Sequence, residues 1–387
     1  MKNNLFLFII SSLLFVSCSK KIAPDDAIPM QYKGHLYLDV KVNDKIHGIL
    51  MFDTGWSGIT LDSLFCEKNG IGYKAATKIK INGIGNQTKT VKLINDTINI
   101  KFSEKELRFS TSTIILDLKS MIDNKIDGIA GIQTFAQKPY MIDYDSQKII
   151  FMDSFKGYEP VNAQFENNNI YLPLSITLKN GKTIQGKFIL DTGSDQTILN
   201  SNFFMSDGIY NTTDKKKFFA KGGVGGDSNG YFIPIADANL GKFKLKKLIM
   251  TVSTDSLGAL ANPNYMGIIG NDLLDDFNII FDHQREKIWV KPSKNFNKNK
   301  KRLFRNISFF DTGEKWVVAG IVEDTEAYRK GIRMNDQILE INNVPVEKID
   351  LDEFVGKLRA NDRLRLKVKQ ANKEKEIEFK LNVFIKS

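Results

Sequence analysis

The chain has 387 residues, of which 42% are hydrophobic, and this length and composition can support two or three globular units. The formal net charge is +10, but residues 291–302 alone hold six basic and no acidic residues, so we expect no nucleic-acid partner. The three histidines, His35, His47 and His283, lack the spacing of metal ligands, which argues against a zinc enzyme. We therefore expect no metal and no other cofactor.

The N-terminus has the pattern of an export signal. Lys2 precedes a mostly apolar stretch from Leu5 to Val16, which is too short to span a membrane permanently. The Ser17-Cys18 pair that follows resembles the cleavage site of bacterial lipoproteins. This resemblance implies a signal peptide over residues 1–18, lipidation of Cys18, and attachment to the cell envelope at the outer membrane or the periplasmic face.

A plain cleaved signal is the alternative, and it would leave Cys18 unmodified and the protein secreted. With Cys18 lipidated, Cys66 has no second cysteine with which to form a disulfide. Residues 19–30, rich in small and charged types, would form a tether between the lipid and the first folded unit.

Two stretches of the chain repeat one another. Asp53-Thr54-Gly55 and Asp191-Thr192-Gly193 each follow a short apolar run, and the two aspartates are 138 residues apart. Further along, Gly128–Gly131 recurs as Gly267–Gly270 at a separation of 139 residues. A duplicated unit of roughly 120 residues present in two copies predicts two homologous lobes, because solenoid repeats have much shorter periods.

Each copy begins with alternating apolar and polar residues, over Leu36–Val42 in the first copy and Ile170–Leu178 in the second. This period of two predicts half-buried strands. Asn180-Gly181 is a strong two-residue hairpin signal, and Asn43-Asp44 is a weaker one, so each strand should turn back toward its triad. An acidic residue and a glycine at the end of an apolar strand place each carboxylate at a rigid, partly buried loop tip.

The apolar strand, the Asp-Thr-Gly triad, the glycine-rich hairpin and the later Gly-apolar-apolar-Gly strand resemble those of aspartic peptidases. The segment Gly267–Leu274 is especially similar to the end of a retropepsin subunit. The resemblance covers residues 34–293 and implies a mainly β chain with two retropepsin-like or pepsin-like lobes, which we place at 31–155 and 165–293.

Two carboxylates about 3 Å apart cannot both ionise readily, so such a pair holds one proton and titrates in two coupled steps. The pair then offers a base, which activates a water molecule, and an acid, which hydrogen-bonds the developing oxyanion. The resemblance implies that Asp53 and Asp191 form this catalytic pair and that the substrate is an extended polypeptide.

The resemblance also assigns the neighbouring residues. Thr54 and Thr192 would reach across to the opposite lobe, and Gly55 and Gly193 would let the backbone turn closely. Ser194 would donate a hydrogen bond to the outer oxygen of Asp191.

In the first copy Trp56 stands where the family has a small residue, so Asp53 lacks the same donor unless Ser57 substitutes for it. We therefore expect Asp53 to be the more readily protonated member of the pair. Trp56 itself is either a core residue or part of a substrate pocket.

Two glycine-rich segments lie at similar distances after the triads. We interpret them as two flaps that open for the substrate and close over it, although Gly-x-Gly is also common in ordinary turns. The flap residues are Gly83, Ile84 and Gly85 in the first copy and Gly223, Val224 and Gly225 in the second.

A third triad, Asp311-Thr312-Gly313, has no matching downstream elements, so we interpret it as a surface turn. It follows a basic linker, predicted at 294–304. Beyond the linker, the segments Trp316–Val322, Gly331-Ile332 and Asn335–Asn342 resemble a bacterial PDZ domain, which we place at 305–387. Leu351–Leu358 would be the helix beside the groove and the strand at Val317 would flank it. This α+β domain either captures a peptide ligand or has a structural or interface role.

Together these observations predict an aspartic endopeptidase with a C-terminal PDZ-like domain, acting as a monomer. Pairing of each lobe with another chain is the less favoured arrangement, because fusion raises the effective concentration of the neighbouring lobe. The alternative function is a non-catalytic envelope protein that holds an extended peptide in the lobe groove and the PDZ-like domain without cutting it.

Overall fold

The computed structural model describes residues 27–72, 77–94, 98–103, 113–206, 215–246, 249–298 and 306–381. The predicted signal peptide with Cys18, most of the tether and residues 299–304 of the linker lie outside these ranges. The chain is mainly β, with 50% strand and 12% helix, as predicted. No helix within the described ranges is both long and apolar enough to cross a membrane.

The first unit contains twelve strands within its described part. They are β1 (Ala27–Pro29), β2 (Gln31–Tyr32), β3 (Leu36–Val42), β4 (Ile46–Asp53), β5 (Ile59–Asp62), β6 (Thr77–Asn82), β7 (Thr88–Ile94), β8 (Ile100–Phe102), β9 (Thr113–Leu116), β10 (Gly128–Gly131), β11 (Tyr140–Asp143) and β12 (Lys148–Phe151). Its helices are α1 (Ser63–Lys68), α2 (Leu118–Met121) and a 3-10 helix (Ile132–Phe135).

The second unit contains a similar series of elements. Its strands are β13 (Glu159–Val161), β14 (Gln164–Glu166), β15 (Asn169–Leu178), β16 (Thr183–Leu190), β17 (Ile198–Leu199), β18 (Lys216–Lys221), β19 (Asp227–Leu240), β20 (Phe243–Leu245), β21 (Ile249–Ser253), β22 (Gly267–Ile269), β23 (Phe277–Asp282) and β24 (Lys287–Pro292). Its helices are α3 (Ser201–Ser206), α4 (Asn271–Leu274) and a 3-10 helix (Ala259–Ala261).

The C-terminal region is shorter and mixed. Its strands are β25 (Ile307–Asp311), β26 (Trp316–Val322), β27 (Gln337–Ile341), β28 (Val344–Pro345), β29 (Arg363–Gln370) and β30 (Lys373–Lys380). Its helices are α5 (Glu326–Arg329), α6 (Leu351–Lys357) and a 3-10 helix (Val346–Lys348).

The first two units have the same strand order. It reads β3-β4-β10-β5-β9-β7-β6 in the first and β15-β16-β22-β17-β21-β19-β18 in the second. The register is also the same, since Gly128 lies opposite Leu50 and Gly267 lies opposite Phe188, one repeat later. The duplication read from the sequence is therefore present in the fold, and the alternation of β3 and β15 buries their apolar faces as predicted.

A six-stranded sheet joins the two units, in the order β1-β12-β11-β23-β24-β13. At its centre β11 pairs antiparallel with β23, with Tyr140 opposite Phe281 and their rings stacked 4.8 Å apart. One hydrophobic core runs beneath this sheet and through both units. The units are thus fixed to each other by backbone pairing and by shared burial.

Two predicted boundaries were wrong. Residues 27–30 were assigned to the tether, but β1 pairs with β12, and Ile28 and Met30 are buried in the core. The linker was predicted to begin at residue 294, yet the ring of Phe296 packs 5.5 Å from that of Phe277. In both places the stretch contains apolar side chains as well as charged ones. Burial of the apolar side chains lowers the free energy, while the charged groups can stay in water.

The C-terminal region has its own core, which includes Ile307, Trp316 and Phe379. The Asp311–Gly313 triad forms the turn between β25 and β26, as predicted. The region is not structurally separate from the second unit, however, because β18 pairs antiparallel with β26.

Candidate active site

Equivalent strands bring the two aspartates to the same place. Asp53 is the last residue of β4 and lies opposite Gly131 of β10. Asp191 directly follows β16, and its N–H donates to the carbonyl of Ile269 on β22 at 3.0 Å. In each unit the neighbouring parallel strand therefore holds the start of the loop that carries the carboxylate.

The threonines of the triads cross between the units. Thr54 Oγ1 donates to the carbonyl of Leu190 at 2.8 Å, and Thr192 Oγ1 donates to the carbonyl of Phe52 at 2.8 Å. Each hydroxyl also accepts the backbone N–H of the opposite threonine at 3.0 Å. Both side chains are fully buried, so these four bonds fix the separation of the two loops without competition from water.

The two carboxyl groups lie against each other's loops. A Cβ atom built on Gly55 would lie 2.6 Å from Cγ of Asp191, and one built on Gly193 would lie 2.3 Å from Cγ of Asp53. Only glycine leaves room for this approach. The N–H of each glycine donates to the aspartate of its own triad, at 2.8 Å to Asp53 and 2.9 Å to Asp191.

Burial and proximity shift the acidity of the pair. Burial raises the pKa of Asp53 above its usual value, while a hydrogen bond from Asp191 lowers it in part. Burial raises the pKa of Asp191 well above its usual value, and the charge of Asp53 raises it further. The pair therefore holds one proton under conditions in which an exposed carboxyl would be ionised.

The prediction for Ser194 was wrong. Its hydroxyl donates to the carbonyl of Gln196 at 2.7 Å instead of to Asp191. The loop presents that carbonyl two residues away, which is a nearer partner for a short side chain. The expected protonation order, with Asp53 as the more readily protonated member, rested on this bond, and burial raises the pKa of both carboxyls.

The two glycine-rich tips meet each other. Gly225 N–H donates to the carbonyl of Ile84 at 2.9 Å, and Gln87 N–H donates to the carbonyl of Gly225 at 2.8 Å. Gly85 has φ +116° and a Cβ there would lie 2.4 Å from Gly225 C, so this contact requires glycine. The tips belong to the hairpins β6–β7 and β18–β19, whose strands pair antiparallel.

Each tip packs into the opposite unit. Val224, from the second hairpin, joins an apolar cluster with Met51 and Ile129 of the first unit. Ile84, from the first hairpin, packs on a cluster that contains Ile189 and Ile268 of the second unit. Two apolar surfaces, each covered by the other unit's tip, therefore flank the aspartates.

Trp56 belongs to the first of these clusters. It is partly buried beside Met51, and its indole Nε1 has no hydrogen-bond partner within the described ranges. Its backbone carbonyl accepts the N–H of Ile132 at 2.7 Å. Trp56 thus packs on the apolar surface under the tip, as a core residue would, and its contribution to a substrate pocket stays a prediction.

A cavity of about 470 Å³ opens beside Gly55 on the side of the second unit. Lys187 and Tyr171 line it, with the ammonium of Lys187 4.6 Å from the ring centroid of Tyr171. Lys187 also pairs with Glu166 at 2.8 Å. No local sequence pattern predicts this cavity, but a comparison of the two repeats distinguishes one lining residue, because Lys187 stands at the position that Ile49 has in the first copy.

Two other kinds of catalytic site, a metal site and a nucleophilic serine, find no support in the described part of the chain. No cluster of three His, Cys, Asp or Glu side chains there could hold a metal ion. Gly226–Gly230 has the Gly-x-Ser-x-Gly spacing of serine hydrolases, but Ser228 lies within strand β19 and its hydroxyl donates to Asp255 at 2.8 Å. A nucleophilic serine of that type needs a sharp turn between a strand and a helix.

The C-terminal region folds as an antiparallel sheet with the short helices α5 and α6, and residues 317–370 match the protein-family model of the PDZ domain. This region is a PDZ domain. No curated protein matches the chain.

The groove of the PDZ domain differs from the prediction. The strand at Val317, β26, pairs with β25 on one edge and with β27 and β18 on the other, so it has no edge for an added peptide. Within the described ranges β25 pairs with β26 alone, and Phe309 on β25 packs 6.0 Å from Phe354 on α6. In the described part of the chain, the outer edge of β25 therefore has no strand partner, and α6 packs near this strand.

Proposed function

We propose that the protein is an aspartic endopeptidase and that its two repeated units are retropepsin-like lobes. The observation that carries this proposal is the crossed arrangement of Thr54 and Thr192, which holds Asp53 and Asp191 side by side in a buried site. A purely binding cleft gains nothing from two adjacent carboxyls, because their repulsion costs stability unless one stays protonated.

In the proposed reaction the ionised Asp53 accepts a proton from a water molecule, whose oxygen attacks the carbonyl carbon of the scissile peptide bond. The protonated Asp191 donates a hydrogen bond to the carbonyl oxygen as negative charge develops on it. The proton that Asp53 took from the water then passes to the amide nitrogen as the C–N bond breaks and the carbonyl re-forms, which leaves a carboxylic acid and an amine. The pair ends with one proton, as it began.

The surroundings of the pair support an extended polypeptide as the substrate. The tips at Ile84 and Val224 are bonded to each other and pack on apolar surfaces that include Met51 and Ile189, each two residues before an aspartate, so a substrate chain would have to pass beneath the tips or part them. Closure of the hairpins would exclude bulk water, which strengthens each electrostatic interaction with the reacting amide.

The test is digestion of a mixed peptide library with the mature protein. We expect cleavage by the wild type, and a loss of at least about 1000-fold in Asp53→Asn and Asp191→Asn, because each variant lacks either the base or the shared proton. Asp311→Asn is the matched control, since it alters the same triad in a surface turn and should leave cleavage unchanged. A wild type that binds library peptides without cutting them would instead identify a non-catalytic peptide-binding protein.

We also propose, from the sequence, that Cys18 carries a lipid and holds the protein at the cell envelope. Replacement by Cys18→Ser should move the protein from the membrane fraction to the soluble fraction. The same fraction in both proteins would contradict lipid anchoring.

A further inference from the structure

Asn271 is a fully buried junction between the two units. Its Nδ2 donates to the carbonyl of Thr192 at 2.7 Å and to the carbonyl of Gly34 at 2.8 Å. Its Oδ1 accepts the hydroxyl of Tyr144 at 2.9 Å. The side chain therefore bonds the loop of Asp191 and two separate segments of the first unit at once.

The backbone of Asn271 supports the same loop. Its N–H donates to the carbonyl of Ser194 at 2.8 Å, so main chain and side chain both hold the turn that follows Asp191. Thr192 is bonded by its N–H and hydroxyl to the first unit, and the bond from Asn271 engages its remaining polar group, the carbonyl. Every polar group of this threonine is thus fixed by a partner.

The first unit lacks this arrangement. One repeat earlier, Ile132 occupies the position of Asn271, and its N–H donates to the carbonyl of Trp56 at 2.7 Å. The main-chain support is therefore conserved between the two halves of the fold. The isoleucine side chain has no donor, so the loop of Asp53 receives no side-chain bond of this kind.

We propose that Asn271 is a positioning residue that holds the Asp191 loop in register with the first unit, and so holds the Asp191 carboxyl against Asp53. The inference deepens the proposed peptidase function and rests on it for its kinetic consequence. A reacting pair loses efficiency when its supporting residues let it shift by a fraction of an ångström.

The first test compares Asn271→Ala with Asn278→Ala. Asn278 also bridges the units, through Tyr144 N–H at 3.0 Å and Asp145 at 3.0 Å, but it touches neither triad loop. Both variants should lower the melting temperature, whereas only Asn271→Ala should lower kcat, by at least about tenfold, with KM little changed. Equal kcat values in the two variants would overturn the positioning role.

A second test does not depend on catalysis. Asp191→Asn removes one of the two crowded carboxyls, so its free energy of unfolding should exceed that of the wild type by more at pH 7 than at pH 3. The size of this gain measures how tightly the two carboxyls are held together. The gain should shrink when Asn271→Ala is also present, as measured by urea unfolding of the four proteins of the cycle. An unchanged gain would overturn the proposal, even if the wild type cleaves peptides.

If Asn271→Ala does not fold, Tyr144→Phe replaces it in both tests, because it removes only the hydroxyl that orients the amide. We expect Tyr144→Phe to lower kcat by less than the tenfold given for Asn271→Ala, and to reduce the stability gain that Asp191→Asn produces. If neither kcat nor this gain changes, the proposal is overturned. The wild type could also lack peptidase activity while the stability gain from Asp191→Asn still depends on Asn271. That outcome would support the positioning role and refute the peptidase function.

Discussion

The outer strands of the two hairpins have different surroundings, and this difference predicts different opening rates. Within the described ranges β6 pairs only with β7, so its outer edge faces away from any strand. The outer edge of β18 pairs with β26 of the PDZ domain over Phe218–Ala220. Opening of the second hairpin therefore requires either breaking this ladder or moving the PDZ domain with it.

The size of the effect follows from the ladder. Glu323 N–H donates to the carbonyl of Lys217 at 2.9 Å, and alternation along antiparallel strands then directs the N–H of Phe219 toward β26. Two or three backbone bonds at about 1 kcal/mol each, with the stacking of Phe219 on Tyr328, give about 2 to 3 kcal/mol. Outward-facing amides of β18 should exchange about 30- to 150-fold more slowly than those of β6.

Hydrogen–deuterium exchange with mass spectrometry checks this difference by comparing peptides that cover 77–82 and 216–221. Phe219→Pro removes the N–H directed at the PDZ domain without removing a bond to β19, so it should bring the exchange of 216–221 close to that of 77–82. Tyr328→Ala is the control, because it removes the ring contact and leaves the ladder. Equal exchange of the two strands in the wild type would refute the reasoning.

Three further predictions concern the aspartates and their cleft. Gly193→Ala places a Cβ 2.3 Å from Cγ of Asp53, so peptide cleavage should fall by about 100-fold or more, whereas Gly58→Ala, which meets nothing within 4 Å, should be neutral. The raised pKa of Asp191 means that the folded protein keeps a proton that the unfolded chain releases, so stability should fall as pH rises above the usual carboxyl pKa. Urea unfolding should show a higher free energy of unfolding for Asp191→Asn than for the wild type at pH 7, and equal values near pH 3. Lys187→Ile gives the second unit the residue type that the first unit has at the equivalent position. Cleavage of the library should then lose a preference for polar side chains at one substrate position. Identical preferences in the two proteins would show that Lys187 does not line a subsite.

The sequence predicted the elements whose signals are local. Alternation along β3 and β15, and the matched spacing of the triads and the Gly-apolar-apolar-Gly strands, were sufficient to anticipate the strand faces and the equivalent positions of Asp53 and Asp191. The crossing of Thr54 and Thr192 was implied by the family resemblance, because it joins residues 138 apart that no local pattern connects.

Features that depend on one partner chosen among several could not be predicted. Ser194 has a carboxylate and a backbone carbonyl within reach, and the loop conformation decides between them. β18 pairs with β26 through backbone groups, which are the same at every strand edge. The sequence of an edge strand therefore does not indicate which strand it will pair with. Burial of Ile28 in β1 likewise depends on β12, which lies far along the chain.

Two copies in one chain can diverge in ways that a symmetric dimer cannot, because in such a dimer each residue serves both halves. Here the divergence concentrates on one side. Asn271 donates a hydrogen bond to the loop of Asp191, and β18 of the same unit is bonded to the PDZ domain. The first unit has Ile132 at the bracing position, and within the described ranges the outer strand of its hairpin, β6, pairs with β7 alone. The second unit is therefore the fixed side of the cleft, and movement that admits a substrate should occur mainly in the hairpin of the first.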